Sequence, residues 1–162
     1  MKTKTKLSLA CYTLGILIVA SVAVVYLFTP QLLPYQEAAI GASWSELNEG
    51  LQVQFLSLLK VCGGGYLFTA ISLAVLLWIP FRNGEQWARW AIPAIGIPAI
   101  LIVNYAGLTI ILNTPGRPPL IAGPIAIGFF LVGLFLSSEI DEVEQTTLTE
   151  SPEPQEFNTN PD

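Results

Sequence analysis

Apolar residues along this chain come in four long runs separated by short polar breaks. The first run covers residues 7–28 and contains no charged side chain. A helix needs roughly 20 apolar residues to cross a bilayer, and this run supplies them. The second run extends from 53 to 79, the third from 90 to 112 and the fourth from 120 to 136. Proline and glycine punctuate the breaks. Pro30 and Pro34 follow the first run, Pro80 closes the second, and Asn113-Thr114-Pro115-Gly116-Arg117-Pro118-Pro119 reads as a tight turn before the fourth. The pattern predicts an all-α membrane protein, a four-transmembrane-helix bundle over residues 1–138.

The polar positions refine this outline. Residues 30–42 read as a loop. Ser43-Trp44-Ser45-Glu46 fits a capping box, with Ser43 as N-cap and Glu46 three positions on. It predicts an amphipathic outer helix extension over 44–54 that continues into the second span. Pro93, Gly96 and Pro98 predict a kink near the start of the third span. From Ser137 onward the chain turns polar, and residues 139–162 form an acidic tail expected to be largely disordered, residues 145–162 in particular.

Composition supports lipid as the solvent. Hydrophobic residues make up 52% and charged residues only 12%, against roughly 25% charged in ordinary soluble domains. The net charge of −5 divides unevenly. Residues 139–162 carry eight acids and no Lys or Arg, whereas the rest holds seven basic and four acidic side chains, a balance of +3. A mildly basic membrane body with an acidic tail has no basic surface suited to nucleic acid. The head Met1-Lys2-Thr3-Lys4-Thr5-Lys6 would also suit a secretory signal, and Ser21-Val22-Ala23 offers small residues for cleavage. The apolar stretch continues through Val24-Val25-Tyr26-Leu27-Phe28, beyond the usual signal core, and favours a retained span.

Lys and Arg placement sets the expected orientation. Lys2, Lys4, Lys6, Arg82 and Arg89 share one side of a four-span chain, and Arg117 is alone on the other. Both termini and the 80–90 loop are therefore expected in the cytoplasm. The aromatic residues agree, with Trp78, Phe81, Trp87 and Trp90 at the inner interface and Tyr26, Tyr35 and Trp44 at the outer one.

Few residues offer chemistry. The chain has no His, which removes the commonest general base and metal ligand. Cys11 and Cys62 are expected to be small buried apolar residues. Their depths differ by about 15 Å, beyond disulfide reach. No catalytic triad, P-loop, zinc or dinucleotide motif is present, so no catalytic residue, metal or cofactor is expected. Lys60 is the only charge within a predicted span. Its ammonium either snorkels to the outer interface or binds an anionic headgroup or carboxylate. Glu49 and Glu46 fall within about 40° of Lys60 on the helix and can line the same outward groove. Gly63, Gly64 and Gly65 follow, expected as helix-packing positions or as a locally unwound, ligand-facing segment. Ser21, Tyr66 and Asn104 share one depth and make a candidate polar layer, either as hydrogen-bonding glue between helices or as a small polar cavity opening outward below Lys60.

The string Leu59-Lys60-Val61-Cys62-Gly63-Gly64-Gly65-Tyr66-Leu67, with Trp44-Ser45-Glu46-Leu47 upstream and Gly84-Glu85-Gln86-Trp87-Ala88-Arg89-Trp90 downstream, resembles small bacterial four-helix membrane proteins and is distantly similar to DoxX-like proteins. The resemblance spans residues 10–136. It implies a fold class and location in the inner (plasma) membrane, and it implies no activity. The leading expectation is a non-enzymatic accessory or structural membrane subunit. Its partners would be the lipid bilayer and a membrane protein, or a basic cytoplasmic protein met by the acidic tail. The second is a binder or transporter of a small anionic or lipidic ligand near Lys60. The third is an enzyme acting on lipid or quinone.

Overall fold

The structure, a computed structural model, describes the backbone of residues 3–149 and the side chains of residues 4–137. It is helical, with no strand among the described residues. Helix α1 covers Thr3–Phe28, α2 Pro34–Ile40, α3 Glu49–Leu76, α4 Gln86–Asn113 and α5 Ala122–Thr149. A 3-10 turn lies at Trp44–Glu46, and a π-turn at Leu77–Phe81 extends α3. Three helical stretches are long and apolar enough to cross a membrane: Lys4–Phe28, Glu49–Phe81 and Gln86–Asn113. The apolar part of α5, Ala122–Ser137, is shorter.

Local chemistry explains the boundaries. Pro30 disfavours helix at Thr29, and α1 stops at Phe28. Pro34 then starts a helix where a loop was expected. Proline is well suited to the first helical position, where its missing N–H loses no bond. The Gln36 side chain accepts the Leu33 N–H at 2.9 Å, and Gly41, at φ +71°, closes α2 by donating to the Glu37 carbonyl. The expected continuous extension from Ser43 is interrupted. The Ser43 N–H does donate to the Glu46 carboxylate at 2.8 Å, but this box closes only the 3-10 turn. Leu47 is extended, and Asn48 caps α3 by accepting the Leu51 N–H at 2.9 Å.

Pro80 does not end the second long helix outright. It lacks an N–H and its ring crowds the preceding turn, and the backbone loosens into the π-turn that holds it. The third helix runs unbroken through Pro93 and Pro98. In the tail, α5 continues to Thr149, so residues 145–149 are helical rather than disordered, and residues 150–162 lie outside the described residues.

Helix α1 is the central element, packed chiefly on α3 and α5, while α4 lies against α5 and more lightly against α3. The core follows a large-against-small rule. Phe130 of α5 is fully buried and fills the space left by Gly15 of α1 and Gly96 of α4; a Cβ there would come within 3.0 and 2.8 Å of its ring. Tyr12 of α1 lies over Gly133 of α5 in the same way, at 2.8 Å, and meets the Phe81 ring edge-on, with centroids 5.3 Å apart. Such close approaches let helices associate where no aqueous hydrophobic drive exists between them.

Candidate functional site

Most of the residues singled out in the sequence lie toward the end of the long helices at which α2 sits. Lys60 is exposed on α3 and makes no hydrogen bond or ion pair among the described residues. Glu49 is exposed in the first turn of α3, eleven positions earlier. About 1.5 Å of rise per residue keeps the two charges apart on a regular helix.

The expected polar layer does not assemble. Ser21 is exposed, and its hydroxyl donates to the Ile18 carbonyl of its own helix at 2.7 Å. Asn104 donates to the Ile100 carbonyl at 2.9 Å and leans on Gly123 of α5. Tyr66 stacks edge-on with Tyr26, centroids 6.2 Å apart, and its hydroxyl has no hydrogen-bond partner among the described residues. Equal depth placed these three at one level, but they occupy different faces.

The glycine cluster also separates. Only Gly63 is a close contact: an added Cβ would lie 2.9 Å from the Leu27 backbone nitrogen and 3.1 Å from the Ala23 carbonyl oxygen of α1. Gly64 and Gly65 have nothing within 4 Å of that position, so they are not packing points within the chain. The helix is unbroken through all three, which corrects the unwound alternative. Cys11 is buried and Cys62 exposed, and both are free thiols, so the expectation of burial fails at Cys62. Three residues separate that helix's buried Leu59 and Gly63, and Cys62 falls about 100° away from Gly63.

Tyr26, Tyr35 and Tyr66, which the sequence did not bring together, form an assembly that holds α2 at this end. The Tyr26 and Tyr35 hydroxyls hydrogen-bond at 2.8 Å. Gly116, in the turn between α4 and α5, faces the Tyr35 carbonyl and the Ala39 methyl at 2.6 and 2.9 Å from a Cβ position. Burial, and then the bond with Tyr26, push the Tyr35 phenol above its ordinary range. Glu37 accepts the Trp44 N–H at 2.9 Å, and the Gln52 amide donates to the Trp44 carbonyl at 2.9 Å. Glu46 is exposed, and its carboxyl is held below the usual value by the Ser43 backbone and side-chain hydrogen bonds. Arg117 donates to the Thr114 and Gly116 carbonyls at 3.1 and 3.0 Å, a cation placed at the end of α4.

At the other end lies a second polar group, also missed. The fully buried Ser8 hydroxyl donates to the Gly133 carbonyl at 2.7 Å, and the Tyr12 hydroxyl to the Arg89 carbonyl at 3.0 Å. Nearby, Arg82 stacks on the Trp78 indole at 4.7 Å, and Trp87 donates its indole N–H to the Glu85 carboxylate. The signal that could have located the buried pair is the spacing of Ser8 and Tyr12, four residues apart and therefore on one face of α1. Among the described residues, no three His, Cys, Asp or Glu side chains gather to hold a metal ion.

No family model, no curated protein and no solved structure matches the chain.

Proposed function

We propose that this chain is a four-span integral membrane protein with both termini in the cytoplasm, acting as a non-enzymatic accessory or structural subunit. The observation that carries the reading is how the polar side chains of the helices are engaged. Thr13, Ser21, Thr69, Asn104, Thr109 and Asn113 each donate to a carbonyl three or four residues back on their own helix. They serve the backbone and converge on no shared point, as membrane helices without a polar task do. Large apolar side chains remain outward, Val61, Phe68, Ile102 and Tyr105 among them, each at least 70% exposed. Lipid, or a partner within it, covers such surfaces.

The geometry of α5 supports the fourth span. Ser8 meets Gly133 while Gly15 meets Phe130, so α5 descends antiparallel to α1 and reaches the level of the lysine-bearing head. Gly116, six residues before α5 begins, abuts α2 at the opposite end. A reporter fused after Asp162 should read as cytoplasmic, and a periplasmic readout overturns the topology. For the role, crosslinking in native membranes should capture a stoichiometric partner that is lost when residues 139–162 are deleted. A chain that stays alone in both forms removes the subunit reading.

A second reading, a binder of an anionic or lipidic ligand, is favoured by Lys60, exposed and without an ion-pair partner among the described residues. Native mass spectrometry of the wild type and Lys60→Gln separates the two. Identical co-purified species in both leave Lys60 as an interfacial anchor.

A further inference from the structure

The bend between α3 and α4 brings together features that the proposed role leaves unused. Arg82 caps the π-turn and is exposed, and its guanidinium lies 4.7 Å over the Trp78 ring. The acid nearest to it in sequence, Glu85, is engaged by the Trp87 indole N–H. No carboxylate pairs with Arg82 among the described residues. Trp78, Trp87 and Trp90 are 57%, 54% and 57% exposed and flank the same bend. A contact with a ring uses no N–H donor of the guanidinium, and those donors can grip a phosphate through two parallel bonds. Exposed tryptophans favour the membrane–water interface and so fix the depth at which those donors sit.

We infer that the Trp78–Arg82–Trp87 bend is a binding site for the phosphodiester of an anionic phospholipid in the cytoplasmic leaflet. The inference rests on the four-span reading, which puts this bend at the inner interface. Trp78 holds the guanidinium over its ring, Arg82 supplies the paired donors and the positive charge, and Glu85 is bonded to Trp87 rather than to the cation. Arginine is required: lysine keeps the charge but has neither the fork nor the flat face for stacking.

The test uses the full chain in nanodiscs made from equal parts phosphatidylglycerol and phosphatidylcholine, released into the mass spectrometer with its retained lipids. The wild type should retain phosphatidylglycerol over phosphatidylcholine. Arg82→Gln should cut that preference about five- to tenfold, and Arg82→Lys should restore only part of it. Trp78→Leu should weaken it with the charge intact. An equal preference in wild type and Arg82→Gln overturns the inference, and so does displacement of the lipid by soluble glycerol phosphate. Asn83→Cys, in a Cys11→Ala, Cys62→Ala background, tests the reading beneath it separately. A membrane-impermeant maleimide should label it only from the side that carries the tail. Labelling from the opposite side sinks the topology, whereas correct labelling with no lipid preference sinks the lipid site alone.

Discussion

Gly63→Ala should destabilise the protein while Gly64→Ala should not, although the two positions are adjacent. At Gly63 the new methyl meets the Leu27 nitrogen at 2.9 Å and the Ala23 carbonyl at 3.1 Å. Both are backbone atoms of α1 and cannot rotate away. Ordinary carbon contacts sit near 3.5–4.0 Å, so α1 and α3 must separate by about half an ångström or more. Overpacking of this kind costs about 1–3 kcal/mol. A glycine-to-alanine change within a helix returns at most about 1 kcal/mol. At Gly64 only the second effect operates, because nothing lies within 4 Å. The two variants should therefore differ by about 1–3 kcal/mol. With about 2–4 °C per kcal/mol for a chain of this size, the gap in apparent melting temperature is about 2–12 °C. Thermal unfolding in one detergent, at one protein concentration, measures it. Equal melting of the two variants, or a larger loss at Gly64, refutes the assignment of the α1–α3 contact to Gly63.

Tyr12→Phe keeps the ring packing and removes the bond to the Arg89 carbonyl, so it should cost about 1 kcal/mol, read as a shift in the unfolding midpoint; Tyr12→Ala should cost about 3–5 kcal/mol. Tyr35→Phe removes the link to Tyr26 and should raise the protease sensitivity of the 29–48 segment without unfolding the bundle; unchanged cleavage means that the bond does not hold α2. The Glu46 carboxyl, held below the ordinary 4.5, binds its proton less readily when the turn is formed. Its contribution to the 43–47 turn is therefore present above the unfolded value and disappears as the pH falls through the lower, folded value. Carboxyl NMR titration should show a midpoint below 4.5, and a midpoint at or above it contradicts the Ser43–Glu46 bond.

The long helices were legible because spanning lengths and proline breaks are one-dimensional signals. Residues 7–28, 53–79 and 90–112 all lie within observed helices. Helix α2 was not legible, because Pro34 reads as a breaker unless its place at the first helical position is known. The capping box was read correctly as a local bond and wrongly as the start of α3, since Leu47 and Asn48 carry the decisive change of direction. Which of Gly63, Gly64 and Gly65 touches a neighbour depends on the rotation of α3, and successive residues differ by about 100°. The same gap defeated the layer of Ser21, Tyr66 and Asn104, which had depth but no azimuth. The polar groups at Ser8 and Tyr12 escaped notice because each needs a carbonyl from a distant helix, Gly133 or Arg89, to show its purpose.

The central position of α1 bears on how the chain is made. Synthesis runs from the N-terminus, so α1 is made first among the described helices, yet one of its two main neighbours, α5, is made last among them. Until then the Ser8 hydroxyl lacks the Gly133 carbonyl, and the Tyr12 ring lacks the glycine notch it covers. The bundle therefore reaches its final form only after the ribosome has released the segment beyond residue 133. A nascent chain stopped before Ala122 has α1 beside α3 with an open flank, and that flank stays uncovered until α5 arrives.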